Sequence, residues 1–215
     1  MKKLTVKTFL ILCVWTVGVA FLPGVAFSSG SAGFAQPSAE YSADRIITMG
    51  SNTMAGKVYS ASGKERMELK EGGGMINIVR ADKKVIWTLM PSEKKYLENK
   101  FSEQKGKRSG GDYNDCDVQQ KEKGKEEVNG FQTRKMEIDV SCPGNDRYTG
   151  TVWLTKENIP IRMETSKADS KKETVKIELK NLKIGKQDPA LFEIPVGYTL
   201  MAIPSMDDIM KMMKK

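Results

Sequence analysis

The chain has 215 residues, 35 Lys and Arg against 27 Asp and Glu, a net charge of +8, three cysteines and no histidine. Without histidine, and without a GxSxG or glycine-rich phosphate loop, the common general-base and nucleotide chemistries lose their usual carriers, and the chain is read as not an enzyme. Acids and lysines are interleaved, with no arginine-aromatic alternation, so the positive charge describes solvated strand faces rather than a nucleic-acid groove.

Met1 to Lys7 is basic, Phe9 to Leu22 apolar, and Pro23 to Ala35 rich in small residues. That is the layout of a secretory signal peptide, which predicts export of the mature protein. Cuts after Ala26 and after Ala35 both fit; the second is preferred and assigns 1–35 to the leader and 36–215 to a single β domain. A retained signal anchor is the alternative, because Phe9 to Phe27 approaches a membrane-spanning length. Cys13 follows Leu12 rather than a small residue and does not suit lipidation. Loss of the leader removes Lys2, Lys3 and Lys7 and no acid, and leaves Cys116 and Cys142. An even count in an exported chain predicts one disulfide between them.

Tyr41 to Met49 alternates with period two, Ala43, Arg45, Ile47 and Met49 against Ser42, Asp44, Ile46 and Thr48, and predicts the first strand. Ala55 to Ala61 is the second. In Lys64 to Lys70, Glu65, Met67 and Leu69 share a dry face, and Lys64, Arg66, Glu68 and Lys70 face solvent. Gly72 to Gly74 permit positive φ at the next turn. Met75 to Arg80 and Lys84 to Met90 are apolar on both faces and require cover on both. Tyr96 and Leu97 mark another strand. Ser102 to Asp112 lacks apolar residues and reads as a mobile polar loop.

Asp117 to Val128 is strongly charged. Its end, Val128-Asn129-Gly130-Phe131, signals a hairpin with a type I′ turn. Met136, Ile138, Val140 and Cys142 then share a face. Val152, Trp153 and Leu154 load both faces of the next strand, followed by the inward rows Ile159, Ile161, Met163 and Val175, Ile177, Leu179. Short connections predict an antiparallel meander. Asp188-Pro189-Ala190-Leu191-Phe192 predicts one capped helical turn. Ser205 to Lys215 predicts an amphipathic helix with Met206, Ile209, Met210 and Met213 on one stripe.

GKVYSASGKERMEL, MINIVRADKKVIWTLMPSEKKYLE, TVWLTKENIPIRMET and LKNLKIGKQDPALFEIPVGY, in that order over Tyr41 to Tyr198, resemble the outer-membrane lipoprotein carrier (LolA/LolB-like) superfamily, and within it the periplasmic members of unassigned function. The resemblance implies a mainly β fold: a strongly curved antiparallel sheet, or half-barrel, with short covering helices including the C-terminal one. It further implies a hollow for acyl chains, lined by Trp87, Leu89, Met136, Ile138, Trp153, Met163 and Ile177, each of which also fits an ordinary core position. The partner would be an apolar or acyl ligand, or a lipoprotein; the alternative is an envelope module docking a protein through its sheet. A monomer is expected. Arg66 corresponds to an arginine that latches the carriers' helical lid, and where they have that lid this chain has the charged stretch Asn99 to Glu127. Asp112, Asp115 and Asp117 lack the glycine and distant glutamate of a helix-loop-helix calcium loop, and no metal or cofactor is expected.

Overall fold

The computed structural model describes residues 35–70, 73–100, 116–142, 146–168 and 170–201. The leader up to residue 34, the polar loop expected at 102–112 and the helix expected at 205–215 lie outside them. The chain forms β1 (Tyr41–Met49), β2 (Asn52–Ala61), β3 (Lys64–Leu69), β4 (Ile76–Arg80), β5 (Val85–Met90), β6 (Lys95–Lys100), β7 (Asp117–Val128), β8 (Phe131–Cys142), β9 (Asp146–Leu154), β10 (Pro160–Lys167), β11 (Ser170–Ile184) and β12 (Thr199–Leu200). All twelve join one open, curved sheet in the order β12-β6-β5-β4-β3-β2-β1-β11-β10-β9-β8-β7.

The order resolves the expected meander into two. β1 to β6 run outward on one side, β11 back to β7 on the other, and β1 pairs antiparallel with both β2 and β11. β1 is therefore central and has its partners on both edges, which its alternating burial reflects. The one parallel pairing among the described residues is β12 against β6. β7, which its sequence marks only as a charged stretch before a turn, is an edge strand, held among the described residues by β8 alone.

The Asn-Gly turn has the expected geometry, with φ of 49° at Asn129 and 83° at Gly130. From there Asn129 Nδ2 donates to Leu179 O at 2.8 Å and to Glu178 Oε1 at 3.2 Å. The tip of the β7–β8 hairpin thus meets β11, three places from β8 in the sheet, which only a strongly curved sheet allows.

Two glycines permit that curvature. A Cβ at Gly150 would lie 2.1 Å from Glu164 O, and one at Gly56 2.3 Å from Glu68 O. Mid-strand glycine costs conformational entropy but admits this backbone approach. Gly150→Ala is expected to lower stability by about 1–3 kcal/mol through forced backbone movement. A urea midpoint unchanged from wild type would contradict that contact.

Three apolar clusters fill the two faces. The first gathers Tyr41, Ala43, Val58, Met67, Val128, Trp153, Ile159, Ile161 and Leu179. The second holds Ile47, Met136, Ile138, Val152, Leu154, Met163 and Ile177, and the third Ile78, Val85, Trp87, Leu89 and Phe192. β4 and β5 have cover on both faces, as their composition requires: Ile78 and Leu89 are fully buried on one, Val79 and Thr88 nearly so on the other. Cys116 and Cys142 form the predicted disulfide, which ties the far ends of the β7–β8 hairpin.

Candidate functional site

Strand register decides which candidate lining residues meet. Ile47 pairs with Ile177, Ile177 with Met163, Met163 with Val152, and Val152 with Met136. Paired residues project from the same face, so this row crosses five strands as one apolar bed, with Ile138 two residues beyond Met136. Met49, Met54, Val140 and Val175 rim it, half-buried. Four methionines border or line the bed, and thioether chains adapt to irregular apolar shapes. Four of the seven candidates, Met136, Ile138, Met163 and Ile177, therefore belong together.

The other three do not join them. Trp87 pairs with Ile78, Ile78 with Arg66, and Arg66 with Tyr59, on the opposite face of the sheet from Ile47 and Met54. Trp87 and Leu89 lie in the third cluster, under Phe192. Trp153 lies in the first; its Nε1 donates to Glu126 Oε2 at 3.0 Å, and the Lys135 and Arg162 cations stand 5.2 and 5.6 Å from its ring.

Beside the bed is a polar island. Arg45, one residue pair along β1 from Ile47, donates from Nη1 and Nη2 to the two oxygens of Glu65 at 2.7 and 2.8 Å. Both residues are 4% exposed. Burial alone would push the Arg45 guanidinium down, but the Glu65 carboxylate outweighs it and holds the group above its usual value. Burial likewise pushes the neighbouring Tyr41 hydroxyl up. The alternation of β1 and β3 puts Arg45 and Glu65 on their dry faces; an opposite-charge pair on two apolar faces is the signal that could have found this contact.

On the opposite face, the chain after β11 forms a strap. Asp188 Oδ1 accepts from Ala190 N–H at 2.9 Å and caps the predicted single turn, a 3-10 turn over Pro189–Phe192. Arg66 Nη1 donates to Leu191 O and Arg80 Nη1 to Phe192 O, both at 3.0 Å. Arg80 also bonds Asp82 and Glu193, and Lys83 bonds Glu193. Arg66 does not face solvent as its strand pattern predicts. It is 9% exposed, because its partner carbonyl comes from 125 residues further along the chain. The strap then adds β12 to the sheet, with Thr199 N–H donating to Lys94 O and Met201 N–H to Tyr96 O.

The strap is expected to loosen in acid. The Arg80 hydrogen bonds hold Asp82 at about 2, against the opposing effect of burial. Burial would raise Glu193, but Arg80 and Lys83 leave it below its usual value. Lowered carboxyl values stabilise the folded state above the unfolded value near 4, and the contribution is lost as pH falls through the folded one. Amide exchange at Thr199 and Met201 should rise between about pH 4 and 2 relative to β2 amides; parallel behaviour of the two sets would contradict the ionic anchoring.

Residues 46–163, from β1 into β10, match the family described as Domain of unknown function (DUF4412). The chain belongs to that family. Its DUF4412 region contains Glu65, Trp87, Trp153 and most of the apolar bed, while Ile177 and the strap lie beyond it. A search of curated proteins finds no match. Among solved structures, the chain is similar to an uncharacterized conserved protein from Thermus thermophilus, at 12% identity and a TM-score of 0.52, covering 76% of this chain and 90% of that one. It is also similar to the LolA superfamily protein NE2245 from Nitrosomonas europaea, at 11% identity and a TM-score of 0.40, covering 73% and 91%. A third similarity is to the Pseudomonas aeruginosa MucA/MucB complex, at 9% identity and a TM-score of 0.47, covering 78% of this chain and 60% of that one. These are similarities of fold alone. Among the described residues no group of three or more His, Cys, Asp or Glu could hold a metal ion, and no helix is long and apolar enough to cross a membrane.

Proposed function

We propose that the protein is an exported, non-catalytic binding protein of the periplasm that takes an apolar or acylated ligand, a lipid or a lipoprotein, on the bed of Met136, Ile138, Met163 and Ile177. The observation that carries this reading is the continuous apolar row across five strands, rimmed by half-buried methionines. A mainly apolar surface bounded by a few polar groups is what an acyl chain requires, and Arg45, Glu65 and Tyr41 supply polar groups beside it. The leader pattern and the disulfide support export.

A photoactivatable fatty acid tests the assignment. Label is expected on the tryptic peptides 136–147, 163–167 and 177–180, which contain the four bed residues. Label concentrated on 85–94, which contains Trp87 and Leu89, would move the site to the opposite face, and labelling no higher than on an unrelated protein would overturn the reading.

One observation favours a second reading, a module that docks a protein through its sheet. Among the described residues β7 pairs with β8 alone, which leaves a sheet edge where a further strand can add. Lys121, Lys123 and Lys125, with the acids interleaved among them, oppose indiscriminate pairing along this edge.

A further inference from the structure

Where β1 meets β11 the ladder is interrupted. Ser42 pairs with Lys183 but Asp44 with Lys180, so β11 carries one residue more than β1 across this step. Asn181 stands in that step in the left-handed region, with φ of 52°, and its Nδ2 donates to Asp44 Oδ2 at 2.7 Å. Bulges of this kind bend the strand and re-aim its side chains. Here the bend opens a cleft of about 360 Å³ lined by Ser42, Ala43, Asp44, Lys57, Asn181 and Lys183.

Around this cleft lysines outnumber acids. Lys83, Lys95, Lys123, Lys135 and Lys176 each stand within ion-pair distance of a glutamate. Among the described residues Lys57, Lys180 and Lys183 are in no ion pair, as Lys121 and Lys125 of β7 also are not; what sets the first three apart is that they gather around one acid. Lys57 lies over the Tyr59 ring at 5.6 Å, and the one acid lining the cleft, Asp44, is engaged by Asn181. Three cations on the two strands that flank β1, each strand about 5 Å from it, surround a single carboxylate, Asp44, which stands opposite Lys57 and Lys180, so an excess of two positive charges remains for a bound anion to offset.

We infer that this cleft binds a phosphate group that carries a hydroxyl, as inorganic phosphate or as the monoester end of a lipid headgroup. Lys57 and Lys183 supply the positive charge and Ser42 a hydroxyl donor. Asp44 selects among anions: its carboxylate accepts a hydrogen bond from a P–OH group and repels an anion that has no proton to offer, such as sulfate. The site lies apart from the apolar bed, in a different part of the register, and stands or falls independently of it.

The test is a titration of the exported protein with inorganic phosphate, followed through the backbone amide resonances of Ser42, Asp44, Asn181 and Lys183. Saturating shifts with a dissociation constant in the millimolar range are expected, with sulfate about tenfold weaker and chloride without effect. The double substitution Lys57→Gln and Lys183→Gln, at exposed positions, should leave the melting temperature in place and abolish the shifts, while Asp44→Asn should bring sulfate level with phosphate. Sedimentation with vesicles containing phosphatidic acid, lost in the lysine variant, would identify a headgroup as the source; phosphate binding without vesicle binding would identify the free anion. Shifts that fail to saturate, or that persist unchanged in the lysine variant, would overturn the inference.

Discussion

Glu65→Gln should lower the unfolding free energy by about 3–5 kcal/mol, the usual cost of leaving one member of a buried ion pair without its partner. Both partners are 4% exposed, and Glu65 engages both terminal nitrogens of Arg45, so water cannot take its place. Arg45 Nε is already a buried donor without an acceptor, and besides Glu65 the guanidinium has only the neutral Tyr41 hydroxyl beside it, which cannot replace the carboxylate charge. The double substitution Arg45→Met with Glu65→Leu should recover most of the loss, because the desolvation of both charges disappears with them. Urea midpoints for the single and double variants check this. A single variant as stable as wild type would mean that the pair is not dry, and a double variant no better than the single would mean that packing rather than charge is at stake.

Replacing Cys116 and Cys142 together by serine should cost about 3–4 kcal/mol, the loop-closure entropy of the chain between them. The bond joins residues 26 apart at the open end of the β7–β8 hairpin, whose other end is fixed by the Asn-Gly turn. Among the described residues β7 has no second strand partner, so the bridge is what holds this edge strand at that end. Urea unfolding of the oxidised protein and the serine variant measures the effect. In the variant, amides of Asp117 to Gln119 should exchange before those of Glu127 and Val128; uniform exchange along β7 would contradict this role.

The legible parts of the fold are those where pattern and turn chemistry agree. β1 is bounded at Tyr41 and Met49 because strict alternation ends at a glycine turn, and the Asn129-Gly130 hairpin is legible because two successive positive φ angles favour that dipeptide. β7 is not legible as a strand: Gln119 to Glu127 has no apolar residue, and only pairing with β8 makes it extended. β12 is two residues long and parallel, with no local signal at all.

The candidate site is half legible for a related reason. Periodicity assigns residues to faces within a strand, and it groups Met136 with Ile138 and marks Met163 and Ile177, separately, as inward. It cannot relate the faces of strands that are distant in sequence, and so it gives no warning that Trp87 and Leu89 lie on the other side of the sheet from those four. Arg66 escapes it in the same way, because the covering strap arrives from the far end of the chain. Arg45 and Glu65 are each on the correct face by pattern, and only register brings them together.

The central claim, an apolar bed that carries a lipid-type ligand, is tested most directly by native mass spectrometry of the protein purified under mild conditions from the cells that make it, followed by solvent extraction of the bound material. The expected result is a population heavier than the bare chain by the mass of a lipid or acylated species, which extraction removes and which returns on incubation with the extract. A protein that runs bare after several mild preparations, and takes up no lipid when offered it, would contradict the account.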